Sequence, residues 1–320
     1  MNKETVEDLF LSNGVIINNI FYPKKLFSSG SIRVILTTKC NYECVYCYGE
    51  GEVNKNYRCL SFTDLISILD VAKEFGISNI KLTGGEPLCY PHIEDLLIYL
   101  GGSFPYYDIT TNASLLNSKV IELFNQYKLN SLNLSLNSLE ETRYNALSNR
   151  HFFENARKNI EFAISNFSGK IRINSIVFDD TNELLDYYNI IKFCYDNKIR
   201  LRLIEPTIVN NMPITNGKSN FNLLIERLRE KANHFALSDG GSVEYFFFGK
   251  NYITALHSLC DNQLCATCAK YMYLRLTSDM KLKPCLSRRD NEVPIDTSSK
   301  NTIRAAFMQV INNWLNLLQK

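Results

Sequence analysis

Three cysteines lie close together near the start of the chain, at Cys40, Cys44 and Cys47, with the spacing Cys-x-x-x-Cys-x-x-Cys. They follow directly on an apolar, β-branched run that ends at Thr37-Thr38. Three thiolates on one short loop can hold three irons of a 4Fe-4S cluster and leave the fourth iron without a protein ligand. A zinc site is the alternative, but zinc needs a fourth ligand and no nearby residue obviously supplies one. The spacing of this cysteine loop (residues 40–47) therefore favours a cluster with one open iron, able to bind a small molecule.

A second motif, Gly84-Gly85-Glu86-Pro87, follows the next predicted strand along the chain. Its glycines let the backbone approach a ligand closely and expose amide groups. A carboxylate beside exposed amides suits a ligand that carries an ammonium group. A tight turn would account for the glycines but not for Glu86, so this GGEP motif (residues 84–87) favours a binding site at a strand end.

The two motifs, in this order, resemble those of the radical S-adenosylmethionine (SAM) superfamily. The resemblance implies that the cysteine loop binds a 4Fe-4S cluster whose open iron is chelated by SAM. Tyr46 matches the aromatic position just before the last cysteine, whose backbone contacts adenine in that family. The GGEP motif, with Glu86 as its carboxylate, is implied to contact the methionyl amino group of SAM. An electron donor such as flavodoxin or ferredoxin is implied as a partner.

Four further segments narrow the resemblance to the GTP 3′,8-cyclase (MoaA-like) branch of the superfamily. They are predicted strand ends at residues 108–112, 134–139, 171–174 and 201–205. By this resemblance Ser135 and Asn174 contact the ribose and carboxylate of SAM. The other cofactor-binding residues implied in these segments are Thr111, Asn112 and Asn137. Each could instead be an ordinary polar residue that satisfies backbone groups at a strand end.

Basic residues on the predicted strands match places where the cyclase holds its triphosphate substrate. They are Arg33, Lys81, Arg172, Arg202 and Arg275. Arginine and lysine near a site suit phosphate or carboxylate groups, so the set predicts an anionic substrate in the catalytic site. Salt bridges with Glu86, Glu205 and their neighbours at the mouth of the barrel are the alternative.

A second group of cysteines, Cys260, Cys265, Cys268 and Cys285, lies towards the C-terminus. Cys265, Cys268 and Cys285, with the residues around them, resemble the second 4Fe-4S site of the cyclase, where three cysteines leave one iron open for the substrate. If Cys260 is a fourth ligand, this auxiliary cluster is closed and serves structure or electron transfer. A zinc site is again an alternative for a Cys-x-x-Cys pair with a distant third cysteine.

The chain also departs from the cyclase at positions that bear on the identity of the substrate. The interval between Cys268 and Cys285 is longer here, Tyr273 stands where the cyclase has an arginine, and Asn137 stands where it has an aspartate. These departures argue against GTP itself as the substrate, but the cysteine loop and the GGEP motif still predict binding of a cluster and of SAM.

We therefore expect a radical SAM enzyme that cleaves SAM to a 5′-deoxyadenosyl radical and abstracts hydrogen from an anionic small molecule, for which a nucleotide is one candidate. The expected product has a new ring or a new C–C or C–N bond. The expected cofactors are two 4Fe-4S clusters and SAM. One alternative is a peptide-modifying radical SAM enzyme with an auxiliary cluster. Another is a non-enzymatic iron–sulfur redox sensor, which the GGEP motif disfavours because a sensor needs no SAM site.

Predicted strands and amphipathic helices alternate along the chain from residue 31 onward. Six such units predict an α/β fold with parallel strands, built as a partial (β/α)6 TIM-like barrel, although a doubly wound sheet also fits. The predicted domains are a lead-in over residues 1–30, the barrel over 31–206 and a small C-terminal iron–sulfur extension over 207–320. In such barrels functional groups gather at the C-terminal ends of the strands, where both motifs fall.

The composition sets bounds on location and partners. Of the 320 residues 45% are hydrophobic and 21% charged, as in an ordinary globular protein. A formal net charge of +2 gives no electrostatic case for a nucleic-acid partner. No signal-peptide core or membrane-spanning run is apparent, so we expect a cytoplasmic protein without a membrane partner. In such a reducing compartment, ten cysteines point to metal or catalytic roles rather than disulfides, apart from core residues such as Cys194.

Overall fold

The computed structural model describes residues 14–17, 20–23, 30–51, 56–178, 184–206, 220–238, 242–258, 273–286 and 290–318. The strands are β1 (Gly14–Ile17), β2 (Ile20–Pro23), β3 (Ser31–Ile35), β4 (Asn79–Thr83), β5 (Tyr106–Thr111), β6 (Ser131–Ser135), β7 (Lys170–Ile176), β8 (Arg200–Ile204), β9 (His234–Leu237), β10 (Val243–Phe248), β11 (Asn251–Leu256), β12 (Arg275–Leu276), β13 (Lys281–Lys283) and β14 (Val293–Pro294). The helices are α1 (Phe62–Glu74), α2 (Ile93–Ser103), α3 (Ser118–Gln126), α4 (Glu141–Ser148), α5 (Phe153–Asn166), α6 (Leu184–Asp196), α7 (Asn220–Lys231) and α8 (Lys300–Leu318). Strands β1 and β2 form an antiparallel hairpin.

Helix α1 illustrates how local sequence sets an element. The side chain of Ser61 caps its first turn by accepting a hydrogen bond from the amide of Asp64. Apolar residues then recur at helical spacing and are fully buried, among them Leu65 and Ile68. The helix ends just before Gly76, whose φ of +76° belongs to the left-handed region that suits glycine.

The chain divides into two compact units, of which the first contains residues 1–39, 49–107 and 268–320. Its sheet has the strand order β14-β13-β12-β3-β4. Strands β12, β3 and β4 are parallel, and β13 and β14 add antiparallel strands beyond β12. The end of α1 packs on α8, where the rings of Phe75 and Phe307 stack with centroids 4.9 Å apart.

The second unit contains residues 40–48 and 108–267. Its sheet has the strand order β5-β6-β7-β8-β11-β10-β9. Strands β5 to β8 are parallel to one another, β11 is parallel to β8, and β10 and β9 complete the sheet as antiparallel strands.

The two faces of the sheet in the second unit differ in polarity. One face is apolar and buried, and includes Ile109, Leu132, Ile173, Leu201 and Leu203. The other face carries polar side chains at register positions that lie side by side, namely Thr110, Asn133, Ser135, Arg172, Asn174, Arg200 and Arg202. Parallel strands covered on both faces are usually apolar throughout. The alternation therefore indicates that the polar face serves a purpose other than the core.

The alternation of strands and helices from β3 to β8 confirms the predicted α/β fold of the partial (β/α)6 type. The apolar spacing of residues 221–235 predicts a helix over that whole stretch, and this prediction is wrong at its end. Helix α7 stops at Lys231, and Phe235 belongs to β9, where it pairs with Phe246 of β10. Pairing with β10, the next strand along the chain, here outweighs the local helical pattern. The sequence also predicts a loop over residues 210–220 and a turn at 239–241. Both lie outside the described residues, except for Asn220, which begins α7.

Strands of the predicted C-terminal extension join the sheets of both units. Strand β12 pairs with β3 in the first unit, and β11 pairs with β8 in the second. The three-part division at residues 30 and 206 remains a prediction. Within the described part of the chain, none of the helices has the length and apolar character needed to cross a membrane.

Candidate active site

The cysteine loop carries three free thiols in the second unit. Cys40 and Cys47 are exposed, and Cys44 is half-buried. The backbone amide of Tyr42 donates a hydrogen bond to the sulfur of Cys40 at 3.3 Å, and the amide of Cys47 donates to the carbonyl of Cys44 at 3.0 Å. Burial raises the pKa of the Cys44 thiol. The loop is therefore folded on itself with its sulfur atoms presented at or near the surface.

The end of helix α4 braces the cysteine loop. The amides of Val45 and Glu43 donate to the carbonyls of Leu147 at 3.0 Å and Ser148 at 3.2 Å. Those carbonyls lie in the last turn of α4, where a helix has no internal partner for its oxygens. The hydroxyl of Tyr42 also lies 3.0 Å from the hydroxyl of Tyr144. The ring of Tyr42 stacks on the ring of Phe152, with 5.7 Å between the centroids. These contacts fix the backbone that carries the cysteines.

The chemistry of the three thiols fits an iron–sulfur cluster. Soft sulfur donors on one braced loop are the ligands that a 4Fe-4S cluster takes from proteins. Among the described residues, no three His, Cys, Asp or Glu side chains come together as a ready-made metal site. Cys40, Cys44 and Cys47 could hold the cluster, and binding would turn their side chains towards one another.

Tyr46 links the cysteine loop to the neighbouring strand ends. Its hydroxyl accepts a hydrogen bond from Nδ2 of Asn137 at 2.6 Å and lies beside the thiol of Cys44. Oδ1 of Asn137 accepts from the amide of Ile176 at 2.8 Å, and the Tyr46 ring lies 5.1 Å from that of Phe178. Burial raises the pKa of Tyr46 well above its ordinary value. In this structure Asn137 thus contacts a predicted site residue and the backbone, and its contact with SAM stays a prediction.

The end of β5 is also tied to the cysteine loop. Nδ2 of Asn112 donates to Oδ1 of Asn41 at 3.0 Å, and Nδ2 of Asn41 donates to Oγ of Ser114 at 2.7 Å. Oγ1 of Thr111 accepts from the amide of Ala113 at 3.1 Å. Thr111 therefore hydrogen-bonds to the backbone just after β5, and Asn112 hydrogen-bonds to the cysteine loop, as expected of polar residues at the end of a strand.

Three of the predicted site residues lie side by side on the polar face of the second unit. Ser135 of β6 is the register partner of Asn174 of β7, which is the partner of Arg202 of β8. The buried Oδ1 of Asn174 has no hydrogen-bond partner among the described residues. A buried acceptor without a donor is costly, so Oδ1 of Asn174 is a candidate to accept a hydrogen bond from a bound ligand or water. Arg172 stands on the same face, two residues before Asn174.

In the first unit, the GGEP motif packs tightly on the segment that precedes the cysteine loop. The amide of Gly85 donates to the carbonyl of Thr37 at 2.7 Å, and the amide of Glu86 donates to that of Lys39 at 2.8 Å. A Cβ atom on Gly85 would lie 2.5 Å from the carbonyl oxygen of Lys39, and one on Gly84 would lie 2.7 Å from that of Thr37. Close approach of two backbone segments therefore requires both glycines.

Glu86 is only 1% exposed. Its Oε1 accepts from the amide of Leu88 at 3.1 Å and caps the 3₁₀ turn Pro87–Cys89. This structural role was not expected from the sequence. It sets the direction of the carboxylate, and the contact of Glu86 with an ammonium group stays a prediction.

Three of the predicted basic residues are neighbours in the sheet of the first unit. Arg275 of β12 pairs in register with Arg33 of β3, which pairs with Lys81 of β4. Glu50 lies against this row, and its carboxylate accepts from Arg275 at 2.8 Å and from Arg33 at 3.4 Å. The hydroxyl of Thr83 donates to the same carboxylate at 3.0 Å.

Glu50 was missed by the sequence analysis. Burial by itself would raise the pKa of its carboxyl, but the charges of Arg33 and Arg275, with the Thr83 hydrogen bond, outweigh burial and hold the pKa below its ordinary value. Glu50 is therefore a carboxylate that offsets part of the positive charge of the row. The only sequence signal was an acidic residue between two glycines just after the cysteine loop.

Most of the second cysteine group lies outside the described residues, namely Cys260, Cys265 and Cys268. Cys285 is half-buried, two residues after Lys283 at the end of β13. Lys283 is 2% exposed and pairs with Glu292 at 3.1 Å. The auxiliary cluster stays a prediction.

Comparison with known proteins agrees with the residues described above. Residues 34–188 match the model of the Radical SAM superfamily. The probable GTP 3′,8-cyclase of Methanothermobacter marburgensis is 26% identical over 294 residues, which is 88% of this chain and 93% of that protein. The probable GTP 3′,8-cyclase of Methanococcus maripaludis is 27% identical over 296 residues, which is 88% of this chain and 94% of that protein.

Solved structures share the fold at low sequence identity. Streptococcus suis SuiB bound to S-adenosylmethionine superposes with a TM-score of 0.63 at 19% identity, over 83% of this chain but only 61% of SuiB. The structure of anSMEcpe with bound AdoMet and the Cp18Cys peptide gives a TM-score of 0.61 at 14% identity, over 90% of this chain and 82% of that one.

The matched residues contain both the cysteine loop and the GGEP motif, and the cyclase relatives cover most of the chain. The family implies a 4Fe-4S cluster and SAM as cofactors. Over residues 34–188 this protein matches the radical SAM superfamily of enzymes, and along most of its length it is similar to the GTP 3′,8-cyclase branch of that superfamily.

Proposed function

We propose that this enzyme cleaves SAM and uses the resulting radical to rearrange an anionic small molecule, closing a ring or forming a new C–C or C–N bond. The observation that carries the proposal is the polar face of the second unit, where Ser135, Asn174 and Arg202 share a register row and Arg172 stands on the same face. Such a face suits a ligand with both hydroxyl and anionic groups. The cyclase relatives, similar along 88% of this chain, support the same class of reaction.

The chemistry would start at the cysteine loop. When bound, the cluster and SAM supply a 5′-deoxyadenosyl radical after transfer of one electron from a donor such as flavodoxin or ferredoxin. Cys40, Cys44 and Cys47 would hold the cluster, and the hydroxyl of Tyr46, beside Cys44, would be placed to donate to a cluster sulfur. Hydrogen bonds to cluster sulfurs tune the ease of reduction.

The remaining residues would position SAM and the substrate. The carboxylate of Glu86, whose direction is set by the hydrogen bond that it accepts from the amide of Leu88, would face the methionyl ammonium group. Asn174 would donate to the SAM carboxylate or accept from the ribose through its unpartnered Oδ1. In the second unit, Arg172 and Arg202 would bind the anionic group of the substrate. In the first unit, the ion pairs of Glu50 with Arg33 and Arg275 offset part of the positive charge of that row.

The second cysteine group would hold an auxiliary 4Fe-4S cluster through Cys265, Cys268 and Cys285. With three ligands the cluster keeps one open iron for the substrate, as the resemblance to the cyclase implies. With Cys260 as a fourth ligand it would be closed.

A peptide substrate is the alternative, since anSMEcpe is solved with a bound peptide. At 14% identity, this structural similarity supports a shared fold but says nothing about the class of substrate, which experiment must decide. The sensor alternative predicts a reducible cluster without SAM cleavage.

The test is anaerobic turnover of the reconstituted protein with SAM and dithionite, with 5′-deoxyadenosine measured by chromatography. We expect 5′-deoxyadenosine from the wild type and from Cys194→Ala, which removes a buried thiol of α6 far from the motifs in sequence. We expect none from Cys44→Ala. Adding a panel of nucleotides and a panel of peptides separates the two substrate classes by which panel is consumed. A wild-type protein that reduces its cluster but forms no 5′-deoxyadenosine would refute the proposal in favour of the sensor.

A further inference from the structure

We propose that a cavity between helix α6 and the strands β8 and β11 binds a small aromatic carboxylate, at a site separate from the candidate active site. The cavity has a volume of about 240 Å³ and lies wholly within the second unit. Its walls come from α6, from the connection between α6 and β8, and from β8, β10 and β11. Among the described residues that line it, none belongs to the predicted catalytic or SAM-binding set.

The sheet of the second unit lies between this cavity and the predicted SAM site. Leu201 of β8 and Ile253 of β11 are register partners, and both line the cavity. Leu201 belongs to the apolar face of the sheet, whereas Ser135 and Asn174 stand on the polar face. A ligand in the cavity would therefore not compete with SAM.

The cavity has the size and the lining of a small-molecule site. An apolar cavity of about 150 Å³ can hold benzene, and this one is larger by more than half. Small-molecule sites are concave and mostly apolar, with a few polar groups that orient the ligand. Four aromatic rings line this cavity, namely Tyr188, Tyr195, Phe248 and Tyr252. Volume and lining together suit a ligand with two fused rings.

One wall of the cavity is already fixed in place. The ring of Tyr252 lies 5.2 Å from the guanidinium of Arg200, within the range of a cation–π contact. The same ring packs against Tyr245 and Phe247 of β10, each at 5.9 Å between centroids. A ligand that packs on Tyr252 would therefore have to order little of the protein.

Lys198 gives the cavity its charge. It is exposed where the cavity opens and, within the described part of the chain, makes neither an ion pair nor a side-chain hydrogen bond. Lys192, the other lysine of the lining, pairs with Asp196 at 2.6 Å. None of the described lining residues is acidic. An uncompensated positive charge beside an apolar, aromatic cavity favours a ligand that joins an aromatic ring to a carboxylate.

The end of α6 holds Lys198 at this position. Its φ of +55° lies in the left-handed region, where the residue after a helix is usually glycine. The amide of Lys198 donates to the carbonyl of Tyr195 at 3.1 Å, and the amide of Ile199 donates to the carbonyl of Cys194 at 3.0 Å. These bonds close the last turn of α6. A lysine here takes a disfavoured conformation and supplies a charge that glycine would not.

The test is calorimetric titration of the reconstituted full-length protein with 2-naphthoate and with its uncharged analogue, 2-naphthalenemethanol. We expect one molecule of 2-naphthoate to bind per chain. Lys198→Gln should weaken this binding about fivefold, the upper end for an exposed ion pair, and leave binding of the uncharged probe unchanged. Lys198→Gly should weaken it equally and melt at the same temperature or higher, because glycine suits the left-handed conformation. Lys158→Gln is the matched control, since Lys158 is an exposed lysine of α5, and it should bind like the wild type.

A second set of measurements locates the bound probe. Ile191→Trp, which fills the cavity from α6, should abolish binding of both probes, and saturating SAM should leave the affinity for 2-naphthoate unchanged. Displacement of 2-naphthoate by SAM, or equal affinity in wild type and Lys198→Gln, would overturn the site. A dimer in sedimentation that Ile191→Trp disrupts, with no binding of either probe, would assign the cavity to a second copy of the chain and overturn it as well. None of these readouts requires 5′-deoxyadenosine, so a wild type that forms none refutes the proposed function and leaves this site standing.

Discussion

Glu50 has a backbone conformation that side chains disfavour, with φ of 53° and ψ of 25°. A left-handed conformation costs a non-glycine residue roughly 1–2 kcal/mol. The carboxylate offsets this cost through its contacts with Arg275, Thr83 and Arg33. These contacts explain why an acidic residue, rather than a glycine, occupies the position.

Replacing Glu50 by glutamine should lower the free energy of unfolding by about 1–3 kcal/mol at neutral pH, because two arginines lose their counter-charge. The pKa of Glu50 lies below its ordinary value of 4.5. Its stabilisation is therefore complete above pH 4.5 and is lost as the pH falls through the lower pKa of the folded state. Urea denaturation at a series of pH values measures the difference between wild type and variant, which should shrink below pH 4.5.

Glu122→Gln is the matched control, because Glu122 is exposed on α3. Its effect should stay within about 0.5 kcal/mol. A difference between wild type and Glu50→Gln that does not change with pH would contradict the ion-pair explanation.

Tyr46→Phe should lower the free energy of unfolding by about 1–3 kcal/mol, since the buried Nδ2 of Asn137 loses the hydroxyl to which it donates. Urea denaturation of the cluster-free protein measures this loss without any contribution from iron. Tyr195→Phe is the control, because Tyr195 is 62% exposed and its hydroxyl is in water. Equal stability of the two variants would show that the bond between Tyr46 and Asn137 contributes nothing.

At the scale of elements, the turn that carries the GGEP motif depends on close packing of backbone on backbone. Gly85→Ala should lower the free energy of unfolding by about 1–3 kcal/mol, because the new Cβ would meet the carbonyl oxygens of Lys39 and Thr38 at 2.5 and 2.6 Å. Gly102→Ala in α2 meets no atom within 4 Å and should raise stability by up to about 1 kcal/mol. Thermal or urea denaturation measures both, and a Gly85→Ala protein as stable as Gly102→Ala would refute the packing argument.

Elements specified by local signals could be predicted from the sequence. Helix α1 has a Ser61 cap and a regular apolar stripe, and β4 (Asn79–Thr83) lies directly before the GGEP motif, where the sequence predicts a strand. Strand β9 could not be predicted, because the residues around Phe235 continue an apolar helical pattern. Its strand conformation depends on β10, which follows it in sequence and supplies the hydrogen bonds.

At the scale of the whole molecule, the number of bound irons distinguishes a protein with one 4Fe-4S cluster from a protein with two. Anaerobically reconstituted wild-type protein should carry about eight irons per chain, and Cys285→Ala and Cys44→Ala should each retain about four. Iron and zinc analysis of the same samples measures this. Cys194→Ala should keep all eight and serves as the control. About four irons with zinc in the wild type would refute the auxiliary cluster, and loss of a cluster in Cys260→Ala would show that this site is closed.

The two motifs of the candidate site could be predicted because the residues of each are near one another in sequence. The spacing of the cysteine loop and the GGEP motif is local, and both were identified. The partners of Glu50 were not, because Arg275 lies 225 residues away along the chain. The pairing of Arg172 with Arg200 likewise follows from the register of two strands, which no local pattern specifies.

The two backbone hydrogen bonds between the cysteine loop and the end of α4 also bear on how a cluster could be inserted. Any local opening that frees the loop must break the bonds from Glu43 and Val45, and it leaves the last carbonyls of α4 without partners. Exchange of these two amides with deuterium should therefore be slow in the cluster-loaded protein and faster in the cluster-free protein, while amides in the middle of α5 should exchange alike in both. Hydrogen-exchange mass spectrometry of the two forms would measure how often the loop is open to accept iron.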